Sequence, residues 1–370
     1  MTLSISYTLL IVSFGTVIIG ITAGILGCFA VLRQQSLLGD AISHAALPGI
    51  GLAFFLTLSK HPLPLLIGAL ISGWLGMVLV NAIVRHTIIS PDAALGIILS
   101  VFFGFGLLVL TAIQKIPTAS QAGLTNFLFG SASTLLIEDV IIMSIISLIV
   151  LCIVWLFWKE FKVITFDPAF SQSTGVPVNR LELLLTSLIV ITIVIGLQTV
   201  GVVLMSALII APASAARQWT NRLGYMIILS AFFGAISGLA GAIASSLIAN
   251  LPTGPVIVLI ISLIVFLSIL FAPNRGIIFT MVRSARSRHN IRSQTMLTNL
   301  LLFSESETDP YYPHDIAALT AIGRGPARRA LQTLKKQGYV VNPRDDQWGL
   351  TPEGLKHAKH ILSIHQSNAS

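Results

Sequence analysis

Long apolar runs separated by short polar interruptions dominate the first three quarters of the chain. They fall at roughly 7–31, 42–58, 62–84, 93–113 and 133–158, then at 182–217, 223–249 and 254–272. A helix of about 20 residues crosses about 30 Å of hydrocarbon, so each run reads as a membrane span. The stretch 182–217 is the exception, being long enough for two. It breaks near Thr199-Val200-Gly201 and closes at Ala211-Pro212-Ala213. Nine spans are expected, with eight as the alternative.

The pattern changes in the last quarter. Residues 277–312 are basic and then acidic, with a short apolar segment at Met296–Phe303. Pro313-His314-Asp315-Ile316-Ala317-Ala318-Leu319 reads as a helix opening, and a second helix is expected from Pro326 to Gln337. Gly338-Tyr339-Val340-Val341, a turn at Asn342–Asp346 and Trp348-Gly349-Leu350 read as a two-stranded hairpin. Thr351-Pro352-Glu353-Gly354 then starts a last helix. Helix, helix, hairpin, helix is the order of a winged helix. The expected organisation is a transmembrane domain over 1–276, a cytoplasmic connector over 277–312 and a winged-helix-like cytoplasmic domain over 313–370.

Composition agrees with this division. The chain is 55% hydrophobic and only 10% charged, where soluble domains carry about 25% charge, and its mean hydropathy is +0.89. Residues 1–280 hold ten Lys/Arg and seven Asp/Glu, a net +3; residues 281–370 hold twelve and seven, a net +5. The positive-inside rule then fixes orientation. With the N-terminus outside and nine spans, Arg33, Arg85, Lys159, Lys162, Arg180, Arg217, Arg222, Arg275 and the basic tail all fall in the cytoplasm. Only Lys60 and Lys115 fall outside. The first run lacks a basic leader, so it reads as a true span and not as a cleaved signal. Cys28 and Cys152 both lie in apolar runs, too few for a disulfide framework or a thiolate cluster.

Two local patterns carry candidate chemistry. In Leu38-Gly39-Asp40-Ala41-Ile42-Ser43-His44-Ala45-Ala46-Leu47-Pro48-Gly49-Ile50-Gly51, a carboxylate and an imidazole stand at i and i+4 on one helix face. Ionisable groups inside spans default to function, and this ligand pair suits manganese, iron(II) or zinc. The other reading of Asp40 is a helix cap, with His44 then a packing histidine. Asp92, after Pro91, is read as a cap or a further ligand. The second pattern is the loop 159–181, where Asp167-Pro168 starts a helix of about two turns that Gly175 and Pro177 stop. So short a helix is unstable alone and calls for a partner. Glu138 and Asp139 read as outer-interface groups, Glu182 as structural.

Several blocks resemble the transmembrane subunits of the ABC importers for manganese, zinc and iron: Leu38–Gly51, Pro91-Asp92-Ala93-Ala94-Leu95-Gly96-Ile97, Asn126-Phe127-Leu128-Phe129-Gly130, Phe166-Asp167-Pro168 with Gly175, Leu208–Ala216 and Leu251-Pro252-Thr253-Gly254-Pro255. Together they span residues 7 to 276 in order. The resemblance implies an all-α polytopic membrane protein with the fold of the vitamin B12 importer's permease, lodged in the cytoplasmic (inner) membrane. It implies no permanently bound cofactor, with a divalent metal ion as cargo. The implied partners are a cytoplasmic ABC ATPase dimer, an extracytoplasmic metal-binding protein, and a second permease copy or a paralogue. Asp40, His44 and Asp92 become metal-path candidates, and Phe166, Asp167, Pro168 and Gly175 become the coupling helix that meets the ATPase. No Gly-rich loop followed by Gly-Lys-Ser/Thr occurs, so ATP hydrolysis is expected of the partner and the chain is not expected to be an enzyme.

The tail resembles the winged-helix region of iron- and manganese-dependent repressors. Arg328, Arg329, Lys335 and Lys336 on its second helix are candidates for DNA or protein contact, with a regulatory role favoured over DNA. Two rival classes are weighed against the importer. A secondary metal transporter would need relay groups in both halves, yet 182–272 holds no carboxylate beyond Glu182. A membrane-tethered winged-helix, metal-responsive regulator would bind DNA without an ATPase.

Overall fold

A computed structural model describes residues 7–58, 62–115, 135–247, 251–273, 275–305, 309–315, 327–344 and 346–367. It divides into two compact units, residues 1–276 and 277–370.

The first unit is helical. Its elements are α1 (Tyr7–Leu32), α2 (Leu38–Thr57), α3 (Pro62–His86), α4 (Pro91–Gln114), α5 (Ile137–Leu156), α6 (Trp158–Phe166), α7 (Pro168–Ser173), α8 (Val178–Val200), α9 (Val202–Trp219), α10 (Leu223–Leu247) and α11 (Thr253–Phe271). α2 packs between α3 and α4, while α1 packs along α10 and against α9; α8 and α9 join the two groups. Gly201, at φ +93°, splits 182–217 into α8 and α9. A positive φ is costly for any residue but glycine.

Eight helices among the described residues are long and apolar enough to cross a membrane, where the sequence reading gives nine. The difference is α9. This 18-residue helix, Val202–Trp219, is not among the eight, the side chains of residues 202 and 203 lying outside the described ones.

Close backbone approach holds α1 in place. A Cβ added at Gly20 would overlap the Gly234 carbonyl, one at Gly24 the backbone of Ser230, and one at Gly27 the Ile209 carbonyl. Hydroxyls reinforce the seam: Thr16 donates to the Gly238 carbonyl at 3.1 Å, and Ser230 to the Gly24 carbonyl at 2.7 Å. Small residues at such crossings let dispersion and interhelical hydrogen bonds act where lipid offers no hydrophobic drive. Gly49 and Gly68 make the same approach between α2 and α3.

The second unit contains α12 (Ile277–Glu305), β1 (His314–Asp315), α13 (Ala327–Lys336), β2 (Val340–Arg344), β3 (Gln347–Leu350) and α14 (Pro352–Ser367). The strands form one antiparallel sheet in the order β1-β3-β2. The expected helix opening at Pro313 is corrected, because His314 and Asp315 pair with Trp348 and Gln347 as a strand. The rest of that opening, 316–319, and the expected start of the next helix at 326 lie outside the described residues. The stretch read as a connector holds α12, whose Met296, Leu297, Leu300 and Leu301 join Leu331, Leu334, Val340, Trp348, Leu350 and Ile361 in this unit's core. Arg328 on α13 pairs with Asp346 in the hairpin turn at 2.7 Å.

The glycine seam predicts a stability contrast. Gly20→Val must push α1 from α10 and should destabilise the detergent-solubilised protein by roughly 1–3 kcal/mol, the usual penalty of overpacking. Gly104→Ala, with nothing within 4 Å of the new Cβ, should leave the melting temperature unchanged or raised. Equal melting temperatures for Gly20→Val and wild type would remove the seam from the account.

Candidate functional site

α2 begins inside the bundle. Ile42 lies close to Gly73, midway along α3, and Val190, midway along α8: a Cβ at Gly73 would meet them at 3.5 and 3.4 Å. The His44 ring stands edge-on to Phe103, midway along α4, with centroids 4.7 Å apart. Asp40 and His44, at the start of their helix, therefore sit near mid-height of the bundle.

The two side chains face each other. His44 Nε2 is 3.4 Å from Asp40 Oδ1, and the side chains are 14% and 38% exposed respectively. That Asp40 exposure is notable because α2 is the most buried of the eight candidate spans, at 72% of its apolar window. Asp40 does not cap α2. The cap position is Leu37, which offers no side-chain hydrogen bond, and Asp40 lies within the first turn. There a carboxylate still gains from the helix dipole. His44 Nδ1 is buried with no hydrogen-bond partner. An imidazole with one nitrogen unused beside a half-exposed carboxylate offers a divalent ion two ligands. No group of three or more His, Cys, Asp or Glu occurs among the described residues.

Asp92 is not brought to this pair. It is exposed in the first turn of α4, whose cap is Ser90, with its Oγ accepting from the Ala93 N–H at 3.4 Å. At 1.5 Å per residue, it lies about 16 Å along the helix from Phe103. Glu182 pairs with Arg33, and Asp139 accepts the Leu136 N–H at 3.1 Å at the start of α5. The block Asn126–Gly130 lies outside the described residues. Periodicity gave no sign of Phe103 as the wall behind His44, since their contact joins two helices.

A second candidate feature is the short helix α7. Asp167 caps it, accepting the Phe170 N–H at 2.9 Å, and Pro168 opens it. Its end is closed by Val176 N–H to the Ser171 carbonyl at 3.1 Å, around Gly175 at φ +79°. Phe166 and Phe170 remain 54% and 57% exposed. Behind α7, Phe161 and Ile164 of α6 are fully buried. The rings of Phe161 and Trp158 stand 6.0 and 6.3 Å from Phe29 at the end of α1. α7 is thus a capped, exposed knob on a rigid aromatic seat.

In the second unit, Arg328 is exposed and engaged with Asp346. Lys335 and Lys336 close α13 and are exposed. The Arg329 side chain lies outside the described residues.

Comparison with known proteins identifies the family of the chain. The ABC 3 transport family matches residues 6–272. The zinc transport system membrane protein TroC of Treponema pallidum is 48% identical over 280 residues, covering 76% of this chain and 94% of the relative. The manganese transport system membrane protein MntC of Bacillus subtilis is 39% identical over 346 residues, covering 94% of this chain and 80% of the relative. That match is longer than the 276 residues of the first unit, so it runs into the second. The solved structure of PsaBC from Streptococcus pneumoniae in complex with Fab superposes with a TM-score of 0.65 at 33% identity, covering 74% of this chain and 95% of that one. The chain belongs to the ABC 3 transport family.

Proposed function

We propose that the chain is the membrane-spanning permease subunit of an ABC importer that carries manganese or zinc into the cytoplasm. The observation that carries the reading is the Asp40–His44 pair at mid-height of a bundle of the ABC 3 transport family, with relatives named for zinc and manganese transport. Imidazole plus carboxylate suits both ions. Manganese and zinc are the cargoes in the names of the relatives; the iron(II) of the sequence reading stands on ligand chemistry and on the resemblances of the body and tail. The incomplete ligand set supports a second permease copy, or a paralogue, across the exposed side of Asp40.

The exposed aromatics and the rigid seat of α7 support its role as the coupling element for an ATPase, with an extracytoplasmic binding protein delivering the ion. Counting α9 as a crossing keeps the basic loops on the α7 side. That supports an N-terminus outside and a second unit in the cytoplasm. The β1-β3-β2 sheet and the hairpin after α13 support reading the second unit as a winged helix with a regulatory role. The tie of Arg328 to Asp346 favours that role over DNA contact.

Vesicle uptake with the ATPase and binding protein reconstituted tests the reading, with manganese, zinc and iron(II) offered separately. Asp40→Asn and His44→Ala should each cut uptake about tenfold or more, corresponding to roughly 1.4 kcal/mol. Because Asp40 makes no cap bond, Asp40→Asn should lower stability by no more than about 1 kcal/mol. Wild-type uptake in both variants would return the pair to packing.

A second prediction concerns α7. Phe170→Ala should leave the permease folded, since the ring is mostly exposed, yet weaken ATPase co-purification and abolish metal-stimulated hydrolysis. Gly175→Val, forced to positive φ, should cost about 1–3 kcal/mol locally and weaken the same complex. Undiminished complex formation by both would move the ATPase contact elsewhere.

A further inference from the structure

A cavity of about 750 Å³ opens among α1, α5, α6 and α10, beside the joint at Phe157 where α5 passes into α6. Its walls are apolar, with Ile25, Val154 and Ile227 among them, and one end carries Trp155, Trp158, Lys159 and Glu160. Trp155 and Lys159 are exposed. Glu160 Oε2 is buried and has no hydrogen-bond partner. Among the described residues no ion pair joins it to Lys159.

A carboxylate oxygen removed from water without a donor is expensive, and Glu160 is one of the residues lining the cavity, so a rotation of its side chain would bring that oxygen to a donor held there. An apolar trough ending in two tryptophans and two opposite charges has the cross-section of the membrane interface. We propose that this groove is a binding site for phosphatidylethanolamine, in the leaflet on the α7 side. The primary ammonium donates to Glu160, the phosphate pairs with Lys159, and an acyl chain runs along Ile25, Val154 and Ile227. A zwitterionic headgroup places both charges within one molecule, matching neighbouring residues of opposite sign. Phosphatidylcholine lacks the N–H donors that the Glu160 oxygen requires, and phosphatidylglycerol lacks the cation.

The test is native mass spectrometry of the purified full chain, delipidated in detergent and titrated with dioleoyl phosphatidylethanolamine, phosphatidylcholine or phosphatidylglycerol. Wild type should retain the ethanolamine lipid at least about fivefold better than the choline lipid, the scale on which one charge-assisted hydrogen bond discriminates. Glu160→Gln should bring the two to parity. Lys159→Gln should weaken the ethanolamine and glycerol lipids alike. Equal retention of ethanolamine and choline lipids by wild type, as expected if a basic side chain of another protein meets Glu160, overturns the proposal. So does a preference that survives Glu160→Gln. Should that variant fail to fold, the headgroup comparison on wild type decides alone. The assay contains neither ATPase nor transported ion, so its failure leaves the transport reading untouched.

Discussion

Helices surrounded by hydrocarbon gain nothing from the hydrophobic effect when they pair, so they must be held by contact itself. Along α1 that contact is backbone on backbone, at Gly20, Gly24 and Gly27. The consequence extends beyond α1. With α1 fixed against α10 and α9, Phe29 near its end is fixed too, and the rings of Trp158 and Phe161 pack on it. α6 is seated by those rings and carries α7. The approach of Gly49 to Gly68 does the same for α2 and sets the height of Asp40 and His44. Larger side chains at these crossings would move both the knob and the pair.

The pair itself runs against the economy of an apolar bundle. A carboxylate at mid-height is expensive unless something pays for it. Here three features reduce the cost. The first turn of α2 favours a negative charge, His44 Nε2 lies within reach, and more than a third of the Asp40 side chain is open. The imidazole is less well served, with Nδ1 buried and unpartnered and Phe103 closing one side. A fold optimised for stability alone would have filled this position with leucine.

What could be read from the sequence was what local physics decides. The Asp167 cap, the Pro168 start and the Gly175 stop need only their own neighbours, and so does the break at Gly201. Contacts between distant segments left no such trace. Arg33 meets Glu182 across 149 positions, and Phe103 meets His44 from another helix. Nothing in the local sequence separates Glu160, which lacks a partner, from the other loop charges. The strand at His314 shows the same limit, since pairing with Trp348 overrode a helix-opening sequence. Asp92 failed to join Asp40 for the converse reason: residues that share a motif style need not share a height.

An incomplete site is the arrangement that transport favours. An ion held by a full ligand shell inside the bundle would not leave, whereas in the proposed role two ligands and a wall would hold it weakly enough for release. The geometry also joins this weak site to the exposed knob by a short route. α8 begins at Val178, three residues beyond Gly175, and one turn later Glu182 pairs with Arg33. Arg33 lies in the turn that leads into α2, seven residues before Asp40. Such a route carries coupling only where some element has two arrangements. The turn 33–37 holds one of three non-glycine residues at positive φ among the described residues, Gln34 at +57°, a backbone state that such a residue keeps only when its surroundings enforce it. The Arg33–Glu182 pair ties the start of α8 to that turn, and the turn sets where α2 and its carboxylate begin.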